Sequence, residues 1–288
     1  MRGLRGGRGN PQCALRCLMA LAAVVAMVAV PAAAWAQTKL NAHYSATLAG
    51  IPIGAGTWVI NIGEERYSAV VNGGTAGLLK AFAGATGSGL IQGRVVNGAF
   101  APATYLVSTT SRKKTETIRI GLAGGGVKDF SIEPEETPNP DRIPITEAHT
   151  RGVVDPMTAS LVRVAGQGDP LGPQACQGST AIFDGRMRYD LRLAYRRMAK
   201  VKAEKGYQGP AVVCAVFFTP VAGHVPDRAA IKYLAAQRDM EVWFAPIAGT
   251  RVLVPFKVTI PTPLGTGVLE ATEFVVSAAV PQASSRTH

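Results

Sequence analysis

The chain is poor in the residues that do chemistry. Of 288 residues, four are histidine and four cysteine, and 30 Lys and Arg outnumber 19 acids. The histidines His43, His149, His224 and His288 are scattered, with no i, i+4 pair to present a metal from one helix face. G-x-S-x-G is absent, which removes the strained nucleophile elbow of an α/β-hydrolase. Ser111-Arg112-Lys113-Lys114 fits S-x-x-K by letter. That chemistry needs Ser and Lys on consecutive helical turns, whereas YLVSTTSRKKTETIRI alternates as a strand and reads as a solvated basic hairpin. GATGSG (84–89) and GLAGGG (121–126) lack the Lys-Ser/Thr of a phosphate-binding loop and read as bends in a coiled sheet. The expectation is a protein without catalytic residues, metal or cofactor, and not an enzyme.

Long hydrophobic runs are also missing, with one exception at the start. MRGLRGGRGNPQCALR carries four arginines and no acid, CLMALAAVVAMVAVPAA is apolar, and Ala34-Trp35-Ala36 closes the segment. That is the anatomy of a cleavable signal peptide over residues 1–36, with cleavage before Gln37 and export to the periplasm. No run in residues 37–288 is long enough for a transmembrane helix. Without the leader's four arginines the net charge falls from +11 to +7. A modest basic excess suits solubility, or a surface of anionic lipid and glycan. Nucleic acid is not expected as a partner of an exported protein.

Cys13 and Cys17 leave with the leader, so Cys176 and Cys214 remain. An even pair in an exported chain reads as a disulfide. The competing readings are a metal site, which lacks clustered His ligands, and a nucleophile; no C-x-x-C redox motif exists.

What is abundant is period-two alternation interrupted by glycine. KLNAHYSATLAG, IGAGTWVINIGEE and RYSAVVNGG read as strands, and the pattern continues to Pro134 with turns at Asn97-Gly98 and Gly124-Gly125-Gly126. GLLKAFAGA reads as a short helical plug. Residues 133–146, with four prolines, read as a long exposed loop. Asp155-Pro156 opens a helix through MTASLVRVAG, and residues 227–240 form a second with Asp227 as its cap. The remaining segments read as antiparallel strands. The fold expected is mainly β: one domain over residues 37–280, a strongly curved sheet or incomplete barrel with two or three short helices, then a tail over 281–288.

Within FDGRMRYDLRLAYRRMAKVKAE, Met187, Tyr189, Leu191, Leu193 and Tyr195 share one strand face. Arg186, Arg188, Asp190, Arg192 and Arg196 share the other. Arg186, Arg188 and Arg192, joined by Arg112, Lys113 and Lys114, are the candidates for an anion- or partner-binding surface. The alternative is a solvated face with Asp190 paired to a neighbouring arginine. The apolar face suggests either a filled barrel or a hollow one able to enclose a lipid.

Several blocks together resemble the family named domain of unknown function 3108. Its opening signature is matched by Tyr44, Gly50, Ile51, Pro52, Gly54, Gly77, Leu78 and Leu79, and DPMTASL, FDGRMRYDLRL and PTPLGTGVLEAT resemble its later blocks. The resemblance implies an exported, β-rich envelope protein of Gram-negative bacteria, without catalytic residues to carry over. The Cys176–Cys214 pair resembles a feature of an alphaproteobacterial subset. The function expected is support of the cell envelope by binding a protein, glycan or lipid partner, with peripheral membrane contact. A lipid carrier with an apolar cavity and, last, a hydrolase or transferase acting on the cell wall are the alternatives.

Overall fold

In a computed structural model of the chain, residues 37–77, 84–112 and 114–279 are described. The expected signal peptide over 1–36, the centre of the GLLKAFAGA segment, Lys113 and the expected tail over 281–288 lie outside the described residues.

Seven strands run as an up-and-down meander: β1 (Gln37–Leu48), β2 (Ile51–Ile62), β3 (Arg66–Thr75), β4 (Ala85–Val96), β5 (Ala99–Ser111), β6 (Lys114–Ala123) and β7 (Gly126–Glu133). Two-residue turns make this geometry. Ala49-Gly50 and Asn97-Gly98 both have positive φ at each position, the turn whose twist matches that of paired strands. The second half holds α1 (Pro156–Ala159), β8 (Val162–Arg163), β9 (Ser179–Phe183), β10 (Arg188–Lys202), β11 (Lys205–Gly206) and β12 (Gln208–Ala222). It ends with α2 (Ala229–Ala236), β13 (Glu241–Pro246), β14 (Val252–Thr262) and β15 (Gly265–Ala279).

All belong to one sheet, ordered β7-β6-β5-β4-β3-β2-β1-β15-β14-β13-β12-β10-β9, with β8 beside β14 and β11 beside β15. The first and last long strands pair at its centre, from Gln37↔Ala279 to Leu48↔Gly267. Pairing is antiparallel except at β11, whose two residues run parallel to β15. The sheet curls without closing, as an incomplete barrel.

Residues 151–154 bridge the break between β7 and β9. Gly152 donates to the Gly125 carbonyl at 2.7 Å, Val154 to that of Ala181 at 3.0 Å, and Phe183 back to Val154 at 3.0 Å. Phe130 of β7 packs edge-on to Phe183 of β9, their centroids 5.2 Å apart. The strap satisfies edge groups that would otherwise lie open.

Side-chain size grades along the strands. At the end that carries the β2–β3 and β4–β5 turns, the interior holds Leu40, Ile60, Ile62, Tyr67 and Ile91, all buried. Tyr67 lies across Gly93, where a Cβ would come within 2.4 Å of its ring. Toward the β1–β2 turn the facing positions are Gly54, Gly56, Gly73, Gly87 and Gly89. The barrel is therefore filled at one end and hollow toward the other.

The helices differ from the sequence expectation in length. Asp155 caps α1 through Thr158 N at 2.8 Å, with Pro156 at the first position, as expected. The helix stops after one turn because Val162–Arg163 pairs with β14 instead. Asp227 does not cap α2; its carboxylate binds Lys232 at 2.7 Å, and Arg228 takes the capping position without a side-chain bond. Among the described residues no helix is long and apolar enough to cross a membrane.

Candidate functional site

The hollow part is a cleft of two lobes. The larger, about 500 Å³, lies along β10, β12, β13 and β14, with Tyr189, Leu191, Leu193, Phe218 and Val258 in its walls. Alternation along β10 turns the apolar face of Met187, Tyr189, Leu191 and Leu193 into it. Tyr195 stays in register with this face, paired to Cys214, but lies beyond the cleft and is 41% exposed; the bulge between Tyr195 and Arg197 shifts the register only after it. Ile231 and Leu234 of α2 complete the wall.

The smaller lobe, about 410 Å³, is floored by Gly54, Gly56, Gly73 and Gly74 and walled by Tyr44, Trp58, Val71 and Leu269. Its glycines contribute bare backbone where the filled end has isoleucine. Ser160, Pro255 and Val258 line both lobes, which are thus contiguous. The Tyr44 hydroxyl donates to the Pro255 carbonyl at 2.7 Å, fixing the ring at the junction. Each volume is in the range of small-molecule sites.

The few charged groups on the cleft wall are already engaged. One oxygen of Asp184 accepts from the backbone N–H groups of Arg186 (2.8 Å) and Met187 (2.7 Å), holding the β9–β10 turn. Glu241 accepts both arms of Arg197, at 2.6 and 2.9 Å, and the indole N–H of Trp243 at 3.1 Å. The bond from Arg197 keeps its carboxyl below the usual carboxylate range. Burial, with the charge of Asp184 second, pushes the Tyr189 phenol well up, so it stays neutral. Asp155 is fully buried beneath the cleft; burial raises its pKa, and Oδ2 has no partner.

The arginine candidates occupy separate places. Arg186 spans the break in the sheet, binding Glu116 of β6 and Glu136 of the loop after β7. Arg188 lies 2.9 Å from Asp190 Oδ1, an ion pair without hydrogen-bond alignment. Arg192 stacks on Phe217, its guanidinium 4.0 Å from the ring centre. Arg112 and Lys114 flank the exposed β5–β6 turn, Lys114 two residues from the Glu116 that Arg186 binds, and Lys113 lies outside the described residues. Each arginine of β10 thus already has an internal partner.

Cys176, on the turn Pro173–Cys176, forms a disulfide with Cys214 of β12, Cα atoms 5.4 Å apart. Both are buried in a small apolar cluster with Val164, Val212, Val242, Phe244 and Leu253. Leu193, Val216 and Val258 pack against this cluster and also line the cleft. The staple thus abuts the cleft wall, its cluster sharing Val242 and Phe244 with the lining. Among the described residues no three His, Cys, Asp or Glu side chains gather as metal ligands.

The cleft was half legible in the sequence. Alternation marked the β10 face; the glycine floor was read only as turns and bends. The usable signal was glycine at matched positions of three neighbouring strands.

No curated protein matches the sequence. Among solved structures, the chain is similar to a beta-barrel-like protein of domain of unknown function DUF1849 from Brucella abortus. The likeness has 11% identity and a TM-score of 0.45, covering 85% of this chain and 99% of that one. The family model described as protein of unknown function (DUF3108) matches residues 43–272, from β1 into β15, and the chain belongs to that family.

Proposed function

We propose that the protein binds an apolar, chain-bearing amphiphile in the two-lobed cleft, as an exported envelope protein and not as an enzyme. The continuity of the apolar lining through Ser160, Pro255 and Val258 carries this reading. A cavity with so few hydrogen-bonding groups holds water poorly and favours hydrocarbon. Asp184 and Glu241 are held by local bonds, which suits a wall better than a proton-transfer site. The buried disulfide and the basic, apolar start of the chain support an oxidising compartment.

The test is native mass spectrometry of protein released gently from its own cells, with titration of a fluorescent fatty acid. A lipid-mass adduct and saturable probe binding are expected, and Val258→Trp, at the junction, should weaken the probe roughly tenfold or more. Adduct-free protein that binds no probe, or a folded Val258→Trp variant that binds like wild type, removes the reading.

A further inference from the structure

We propose that the rim formed by the β1–β2, β5–β6 and β14–β15 turns docks on an anionic phospholipid bilayer. The antiparallel order puts these three turns at one end of the sheet, the hollow end. Two of them carry apolar side chains into solvent: Ile51 is 59% and Leu264 76% exposed. These turns touch. Ala49 N donates to Thr266 O at 3.0 Å, and a Cβ on Gly265 would stand 2.8 Å from that of Ala49. Ile51 and Leu264 therefore belong to one patch, with Pro52 and Pro263 exposed beside them.

Charge completes the surface. Arg112 and Lys114 are exposed at the β5–β6 turn, three strand spacings from β2, or about 15 Å. The three hairpin tips themselves carry no acid: residues 44–57, 99–115 and 258–269 contain no Asp or Glu, Glu116 beyond the β5–β6 turn is bound by Arg186, and Glu133 stands one strand further out at the end of β7. Hairpin tips that pair apolar side chains with cations, free of acids, fit a headgroup layer of anionic lipid. They fit a protein interface less well, since its centre is depleted of charge and its apolar area larger. Ala46, Gly54 and Leu269, a few residues below the turns, line the smaller lobe, so docking brings the cleft mouth to the bilayer. The docking surface is independent of what fills the cleft, because it is read on vesicles whether or not a ligand is bound.

The test is co-sedimentation of the purified protein with vesicles of phosphatidylethanolamine and phosphatidylglycerol in equal parts, against phosphatidylcholine alone. Preferential, salt-sensitive binding to the anionic vesicles is expected. Ile51→Ser with Leu264→Ser should lower it roughly tenfold or more. Arg112→Gln with Lys114→Gln should remove the preference for anionic lipid. In a Leu264→Trp variant, which leaves the other rim residues in place, the added indole's emission should shift to the blue on anionic vesicles. Equal binding to both vesicle types, serine variants that bind like wild type, or an unmoved indole signal would overturn the proposal. So would a dimer that the serine substitutions dissociate, since the patch would then belong to a second copy of the chain.

Discussion

The guanidinium of Arg186 meets the carboxylate of Glu116 through two N–H···O bonds, the first 2.7 Å long, between residues 70 positions apart. Its Nε donates to Glu136 at 2.8 Å, and Glu136 also pairs with Arg142 at 3.2 Å. This network clasps the β9–β10 turn to β6 across the break in the sheet. Arg186→Gln should lower stability by about 1–2 kcal/mol, because bidentate, partly shielded pairs exceed ordinary surface ones. Urea denaturation measures this, and an unchanged midpoint would assign closure to the 151–154 strap alone.

The clasp has a pH signature. The hydrogen bond from Arg186 lowers the Glu116 pKa from its ordinary 4.5. A carboxyl depressed in the folded state stabilises fully above its unfolded pKa, and that contribution fades as pH falls through the folded one. Glu116→Gln should therefore flatten the fall of melting temperature below about pH 4.5, while staying less stable near neutrality. A thermal series across that window checks the shape.

Asp155 predicts opposite outcomes for two substitutions. Its Oδ1 caps Thr158 N, while Oδ2 is buried without a partner. Asp155→Ala loses the cap and should cost about 1 kcal/mol. Asp155→Asn keeps an oxygen for the cap and removes a charge that burial opposes, so near pH 7 it should be neutral or stabilising. Thermal melts of the two variants decide it; Asn as costly as Ala would mean that the charge itself is needed.

Replacing both Cys176 and Cys214 by alanine opens a loop of 38 residues, so the unfolded chain gains freedom worth about 4 kcal/mol. Because Leu193, Val216 and Val258 link the disulfide cluster to the cleft, probe affinity should fall along with stability. Guanidinium denaturation beside probe titration separates the two losses.

Alternation and glycine spacing made the curved, incompletely closed sheet legible, because strand faces and hairpin turns are local properties. The Cys176–Cys214 bond was legible for a different reason: only two cysteines lie beyond residue 36. The partners of Arg186 were not legible, since Glu116 and Glu136 arrive from strands set by the closure of the whole sheet. Asp190 beside Arg188 was, being two residues away. Nor could alternation tell a filled barrel from a hollow one. That depends on Gly56, Gly73 and Gly87 falling side by side, a matter of register across three strands.

The pairing of β1 with β15 fixes the order of events in biogenesis. The β1–β7 meander is assembled from neighbouring hairpins and can form as the chain emerges. The free edge of β1 then waits for a partner more than two hundred residues downstream. The sheet can thus be completed only once nearly the entire polypeptide is present, and until then the edge of β1 stays open to pairing with another chain, a long-range closure of the kind that slows folding.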